Sequence, residues 1–155
     1  MRIQICAVGR LRGGPEAALI DDYLTRFARA GRALSLGPAE IREVEAKKGG
    51  QEEETRLLLK SVPDGARVVA LDERGKVMTS PDFAGQLARW RDDGISDTVF
   101  AIGGADGHTS EMRQRADLLL SFGSMVWPHM LARAMLAEQL YRAATILAGS
   151  PYHKA

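Results

Sequence analysis

Two short stretches carry residue types from which a ligand site can be built. One is Gly103-Gly104-Ala105-Asp106-Gly107, small residues directly after the apolar Val99-Phe100-Ala101-Ile102. The other is Phe122-Gly123-Ser124-Met125-Val126-Trp127, which follows Leu118-Leu119-Leu120-Ser121 and leads into Pro128-His129. Loops that leave the C-terminal ends of buried strands are where open α/β sheets place ligands. A third group lies beyond them: Arg133, Glu138, Gln139 and Arg142 in one helical stretch, then the ending Ser150-Pro151-Tyr152-His153-Lys154-Ala155. An ordered-looking polar and aromatic tail stands where frayed chain is the default. Histidines and a glutamate can move protons, and arginines can stabilise anionic charge. Together these point to a small-molecule pocket beside a second, larger substrate.

The elements that must position these residues alternate. Apolar runs predict strands over 3–8, 34–44 (interrupted at Gly37-Pro38), 67–71, 98–102 and 118–121. Helices are expected over 15–30, 51–62, 80–91, 110–115 and 128–148, with Pro15 and Pro128 suited to first turns and Ser80 to an N-cap. A turn after Leu71 is marked by Asp72-Glu73-Arg74-Gly75-Lys76. Strands such as Val68-Val69-Ala70-Leu71 are apolar without alternation, as in parallel sheets covered on both faces. The expectation is one α/β domain over residues 1–155, a mostly parallel sheet flanked by helices.

The last helix is apolar nearly all round. At about 100° per residue Glu138, Gln139 and Arg142 share one narrow face, and Arg133 projects from roughly the opposite side. Such a helix is buried on several sides, which suggests that part of it, Leu136 included, packs against a second subunit. Glu138 and Arg142 are spaced to pair.

Composition narrows the classes. A chain of 155 residues with 45% hydrophobic and 26% charged content is ordinary for a globular domain. No apolar run approaches the roughly 20 residues of a membrane span, and Met1-Arg2 leads straight into a strand, so no signal peptide is expected. The single cysteine, Cys6, fits a reducing cytoplasm and a buried strand position. The histidines His108, His129 and His153 lack zinc-ligand spacing, so no metal is expected. Net charge is only +1, but residues 1–36 hold Arg2, Arg10, Arg12, Arg26, Arg29 and Arg32 against Glu16, Asp21 and Asp22. Glu52-Glu53-Glu54 and Asp92-Asp93 compensate in the middle of the chain.

Six stretches in order carry a resemblance. They are Ala7-Val8-Gly9, Val69 through Lys76, Phe100 through Gly107, Leu120 through Met125 with Trp127-Pro128-His129, Ala137 through Ala143, and Pro151-Tyr152-His153-Lys154. Together they resemble the RlmH (YbeA-like) family, pseudouridine N3-methyltransferases of large-subunit ribosomal RNA within the SPOUT class. The resemblance implies a SPOUT-type sheet with a C-terminal deep trefoil knot over roughly residues 67–155, and a cytoplasmic homodimer. It implies S-adenosylmethionine as cofactor and 23S rRNA, at helix 69 in the 70S ribosome or 50S subunit, as substrate. By motif position the cofactor contacts would be Leu71, Gly103, Phe122, Gly123, Ser124, Met125, Val126 and Trp127, with Gly104 alongside. Glycines allow close backbone approach to an adenosyl group, and Leu71, Phe122, Met125 and Trp127 could sandwich the adenine.

The implied reaction needs the N3 proton of pseudouridine removed and the nitrogen aligned behind the methyl. His129, His153 and Glu138 are candidates for the base; Arg133 or Arg142 could stabilise the imide oxygens. Tyr152 could stack on a base and His153 could contact phosphate or the flipped nucleotide. His129 could equally cap the helix entry, and the Tyr152-His153 tail of an arbitrary protein would be a solvated terminus. His108 receives no role. The modest charge fits docking on assembled ribosomes better than binding of free RNA. Two other classes stay open: a nucleotide-phosphate enzyme using Gly103 to Gly107 as a cradle, whose spacing departs from G-x-G-x-x-G, and a non-catalytic ribosome-associated binding protein.

Overall fold

The computed structural model describes residues 1–154; the expected domain's last position, Ala155, lies outside the described residues. Five strands, β1 (Arg2–Val8), β2 (Ala39–Val44), β3 (Arg67–Val77), β4 (Asp97–Ile102) and β5 (Leu118–Ser121), form one sheet in the order β2-β1-β4-β3-β5. Every neighbouring pair is parallel. Between them run α1 (Gly14–Arg32), α2 (Gln51–Lys60), α3 (Ser80–Asp92) and α4 (Ser110–Arg115), and α5 (His129–Ala148) follows β5.

The non-alternating strands are explained by helices on both faces. Ile3, Ile5, Val69, Phe100 and Leu120 pack against Phe27 of α1, Phe83 and Leu87 of α3, and Leu136 and Leu140 of α5. On the other face Cys6, Val8, Val68, Ala70 and Val99 meet Leu58 of α2 and Met112 of α4. From β1 the chain moves toward the β2 edge, and from β4 toward the β5 edge. The carboxyl ends of β1 and β4 therefore flank a topological switch point, and open α/β sheets bind ligands at this end of the strands.

Three local expectations are corrected. The second strand begins only at Ala39, because Ser35 and Gly37 turn through positive φ (+57° and +84°) before it. The α3 cap is Thr79 rather than Ser80: its Oγ accepts the Asp82 N–H at 3.1 Å. Leu136 is fully buried in this chain's own core, so it is no subunit surface; α1, α3 and the sheet account for the apolar girth of α5.

The turn expected after Leu71 does not end the strand: β3 runs on to Val77 with an irregularity in its pairing. Leu71 and Lys76 both lie opposite Leu120, so residues 72–75 loop out of β3 as a wide bulge before the pairing with β5 recovers. Bulges of this kind re-aim side chains beside sites.

Candidate active site

Three loops at the carboxyl end of the sheet enclose a cleft of about 380 Å³, a size that suits a small organic ligand. The β3 bulge supplies Leu71, Asp72 and Arg74; the loop after β4 supplies Gly103 to Gly107; the loop after β5 supplies Phe122, Gly123, Met125, Val126 and Trp127. His129 and Ala132 of the first α5 turn close it. Seven of the eight expected cofactor residues line this cleft, and Ser124 sits in the same loop without lining it.

Each wall is fixed by polar contacts. The buried Ser121 hydroxyl accepts the Gly123 N–H at 3.0 Å and lies 3.1 Å from the Glu73 carbonyl, tying the bulge to the β5 loop. The glycine loop turns on Gly107, at φ +74°, whose N–H donates to the Gly104 carbonyl at 3.0 Å. Gln51 Nε2 holds that loop from outside through the Asp106 and His108 carbonyls at 2.7 and 3.1 Å. A Cβ on Gly103 would stand 3.1 Å from the Gly107 carbonyl carbon, so the cradle is already filled to its backbone.

Two titratable groups sit behind these walls. Burial pushes the Asp72 carboxyl up, but the Arg74 backbone N–H and guanidinium outweigh it and leave Asp72 below the usual range. Asp72 therefore stays ionised and paired with Arg74, Oδ1 accepting from Nε at 3.1 Å. Burial pushes His108 down, against the opposing pull of the Ala101 carbonyl and Asp72. Its Nε2–H donates to the Ala101 carbonyl at 3.1 Å, so the neutral ring props the glycine loop from beneath.

The tail forms a second group. Glu138 accepts from Arg142 Nε at 3.0 Å and Nη2 at 2.5 Å and from the Tyr152 hydroxyl at 2.9 Å. Arg142 stacks over the Tyr152 ring, 4.8 Å from its centroid, and its Nη1–H donates to His153 Nδ1 at 3.2 Å. Burial and the Glu138 carboxylate push the Tyr152 phenol well above its ordinary value, so it remains a neutral donor. The tail is thus folded onto α5. Glu138 and Gln139 also line an adjoining cavity of about 410 Å³, which shares Leu120, Phe122 and Gly123 with the first.

Of the six residues expected to act on the reacting base, only His129 lines the cleft. Glu138, Arg142, Tyr152 and His153 come together away from it, as the i, i+4 spacing foreshadowed for the first two. Arg133 belongs to neither group. It is fully buried, with Nη1 2.6 Å from Glu43 and Nη2 3.2 Å from the Gly9 carbonyl.

Sequence reasoning missed Asp72, Arg74 and His108 as parts of the site's frame, although the polar run after a buried strand was a usable signal for the first two. It also missed Glu54, whose carboxylate stands 3.0 Å from where a Gly104 Cβ would be. No local pattern singled out that glutamate from its neighbours in the acidic run.

Comparison with known proteins places this geometry. A family described as "Predicted SPOUT methyltransferase" matches residues 1–153. The chain belongs to the SPOUT methyltransferase family. This SPOUT chain is 63% identical over 155 residues to the ribosomal RNA large subunit methyltransferase H of Ruegeria sp. (strain TM1040), covering 99% of each. It is 64% identical over 155 residues to the protein of the same name from Roseobacter denitrificans, again covering 99% of each. Among solved structures, a probable methylase family protein from Haemophilus influenzae Rd KW20 superposes with a TM-score of 0.51 at 11% identity. That alignment covers 99% of this SPOUT chain and 70% of the other, and it speaks to the fold alone.

Proposed function

We propose that this SPOUT chain is an S-adenosylmethionine-dependent methyltransferase acting on N3 of a pseudouridine in large-subunit ribosomal RNA, on assembled ribosomes and as a homodimer. One observation carries the reading: the glycine-cradled, aromatic-walled cleft lies in a chain that matches full-length relatives named ribosomal RNA large subunit methyltransferase H. The cleft's donor set fits an adenosyl group. Backbone N–H and C=O groups of the Gly103 loop can bind its polar edge at close range, while Leu71, Phe122 and Trp127 can cover its ring. When bound, this cofactor supplies an electrophilic methyl on a sulfonium. Residues 67–155, with α5 threaded as a knot, would be the part that holds it.

The residues then divide the work. His129, which lines the cleft edge, would take the N3 proton from an incoming base as a general base. Leu71 and Phe122, in the cleft wall, would keep water from the reacting nitrogen. Glu138 is already engaged by Arg142 and Tyr152, which suits it to order the tail rather than to abstract a proton. Arg142 and His153 then present cationic and imidazole groups to the RNA. Orienting nitrogen and methyl can contribute roughly 7–11 kcal/mol in the best intramolecular cases. Homodimerisation is supported by exposed apolar side chains around the two cavities, Val77, Met125 and Val126 being 70%, 73% and 82% exposed.

The test is transfer of labelled methyl from S-adenosylmethionine to 70S ribosomes and 50S subunits, with and without pseudouridine at the target site. Label in 23S rRNA only when pseudouridine is present is the expected result. Tight cofactor binding with no label in rRNA would refute the substrate and favour the non-catalytic ribosome-associated reading.

A further inference from the structure

We propose that residues 9–12 form a rigid cationic arm for the ribosomal RNA backbone, pinned beside the cleft by the pairing of buried Arg133 with the more exposed Glu43. The proposal rests on the ribosomal substrate argued above. The arm leaves β1 at the switch point, and its first residue lies beside His129 at the cleft edge. A Cβ on Gly9, whose φ is +94°, would stand 3.4 Å from Met130 Cε and 4.0 Å from His129 Nε2.

Three hydrogen bonds then fix its course. Gly9 N–H donates to the Val44 carbonyl at 2.9 Å. The Gly9 carbonyl accepts from Arg133 Nη2 at 3.2 Å. Leu11 N–H donates to Glu43 Oε2 at 2.8 Å, and the same oxygen takes Arg133 Nη1 at 2.6 Å. The pin thus joins α5, β2 and the arm through one carboxylate oxygen. Arg133 has a side-chain exposure of 1%, which puts its guanidinium out of reach of substrate and makes it a positioning residue.

The geometry leaves the charges of the arm outside. Residues 10 and 12 flank the anchored Leu11, and both arginines are exposed. Arg10 pairs with the exposed Glu45 at 3.4 Å and lies near enough to Glu43 to help hold that carboxyl below its usual range; such surface pairs are weak and yield to a better anion. Two exposed guanidiniums on an anchored backbone suit phosphate oxygens, which position a nucleic acid without reading its sequence. The arm lies on the His129 side of the cleft, so it would hold RNA where a base can enter. Pinning removes the ordering cost that a flexible basic loop would bear on binding.

The test reads binding of the full-length protein to 50S subunits across a salt series, with no methyl transfer involved. Arg10→Gln with Arg12→Gln should weaken binding roughly tenfold and flatten the log–log salt slope by about 1.5–2, as for two lost phosphate contacts. Cofactor affinity and melting temperature should stay as in wild type. Glu43→Gln keeps both arm charges, so its slope should be unchanged while affinity falls several-fold and trypsin cuts faster after Arg10 and Arg12. A wild type and double variant that bind alike at every salt would overturn the arm. Equal trypsin resistance in Glu43→Gln would overturn the pin. A wild type that binds through the arm yet transfers no methyl would overturn only the proposed reaction.

Discussion

Gly75→Ala separates the β3 bulge from the rest of the fold as a determinant of the site. Gly75 lies at the foot of the bulge, where β3 rejoins β5, and its φ is outside the left-handed region. The effect of the substitution is therefore steric alone. A Cβ there would sit 2.6 Å from both the carbonyl carbon and oxygen of Leu119 and 2.9 Å from the Leu120 N. These are backbone atoms of a paired strand, so no rotamer change relieves them. Either β5 moves or the bulge opens. Overpacking of this kind costs about 1–3 kcal/mol, which in a domain of this size lowers Tm by roughly 2–12 °C. The bulge carries Leu71 and Asp72 into the cleft wall, so S-adenosylmethionine affinity should fall by at least tenfold in calorimetric titration. Gly85→Ala is the matched control. Its Cβ would meet nothing within 4 Å in α3, and relief of chain entropy should leave the protein unchanged or stabilised by about 0.4–1 kcal/mol. A Gly75→Ala protein that melts and binds cofactor like wild type would show that the bulge does not shape the site.

Two further outcomes follow from buried and exposed groups. Because burial holds His108 below its ordinary value of 6.5, the unfolded chain takes up the proton first as pH falls. Stability is then full above about pH 6.5 and declines toward the folded value of His108, at no more than ~1.4 kcal/mol per pH unit. His108→Gln should flatten that part of a denaturant-midpoint profile; an unchanged slope would rule out His108 as its source. Val77→Arg, at a site 70% exposed in the single chain, should shift the proposed dimer toward monomer by light scattering without lowering helix content. An unaltered mass would place the interface elsewhere.

Much of the fold was legible because the central strands are covered on both faces and carry no alternation, and the helices show their own signals. Pro15 and Pro128 mark real boundaries. What escaped depended on partners far along the chain. Leu136 read as a possible outer surface because a helix apolar all round does not announce which neighbours cover it; α1, more than 100 residues earlier, is one of them. The β3 bulge read as the end of a strand because its resumption is set by Leu120, not by anything in Asp72 to Lys76. Arg133 read as a reactive cation for the same reason. Its partner Glu43 lies 90 residues away and looks, locally, like any acid of an exposed strand. Loop residues that line the cleft were legible by type, since glycine and aromatic runs after buried strands have few other uses.

Helix α5 ties these pieces together and sets a distance problem for the proposed reaction. His129 begins the helix and Arg142 lies thirteen residues on, about 20 Å along the axis at 1.5 Å per residue. A single nucleotide cannot reach both His129 and the Arg142–His153 pair of one chain. If both groups serve one base, the tail must come from the other subunit of the proposed homodimer. Mixing two dead variants decides it. Gly103→Val drives a side chain into the Gly107 backbone and blocks the cleft; Tyr152→Ala with His153→Ala removes the tail groups and leaves the cleft intact. Each alone should transfer no methyl. With tails used across the dimer, each mixed pair contains one intact cleft facing one intact tail. Random reassortment at equal amounts should then restore about a quarter of wild-type activity, because half the dimers are mixed and half their sites complete. With tails used within their own chain, no mixed dimer has a complete site, and activity after reassortment would stay at zero.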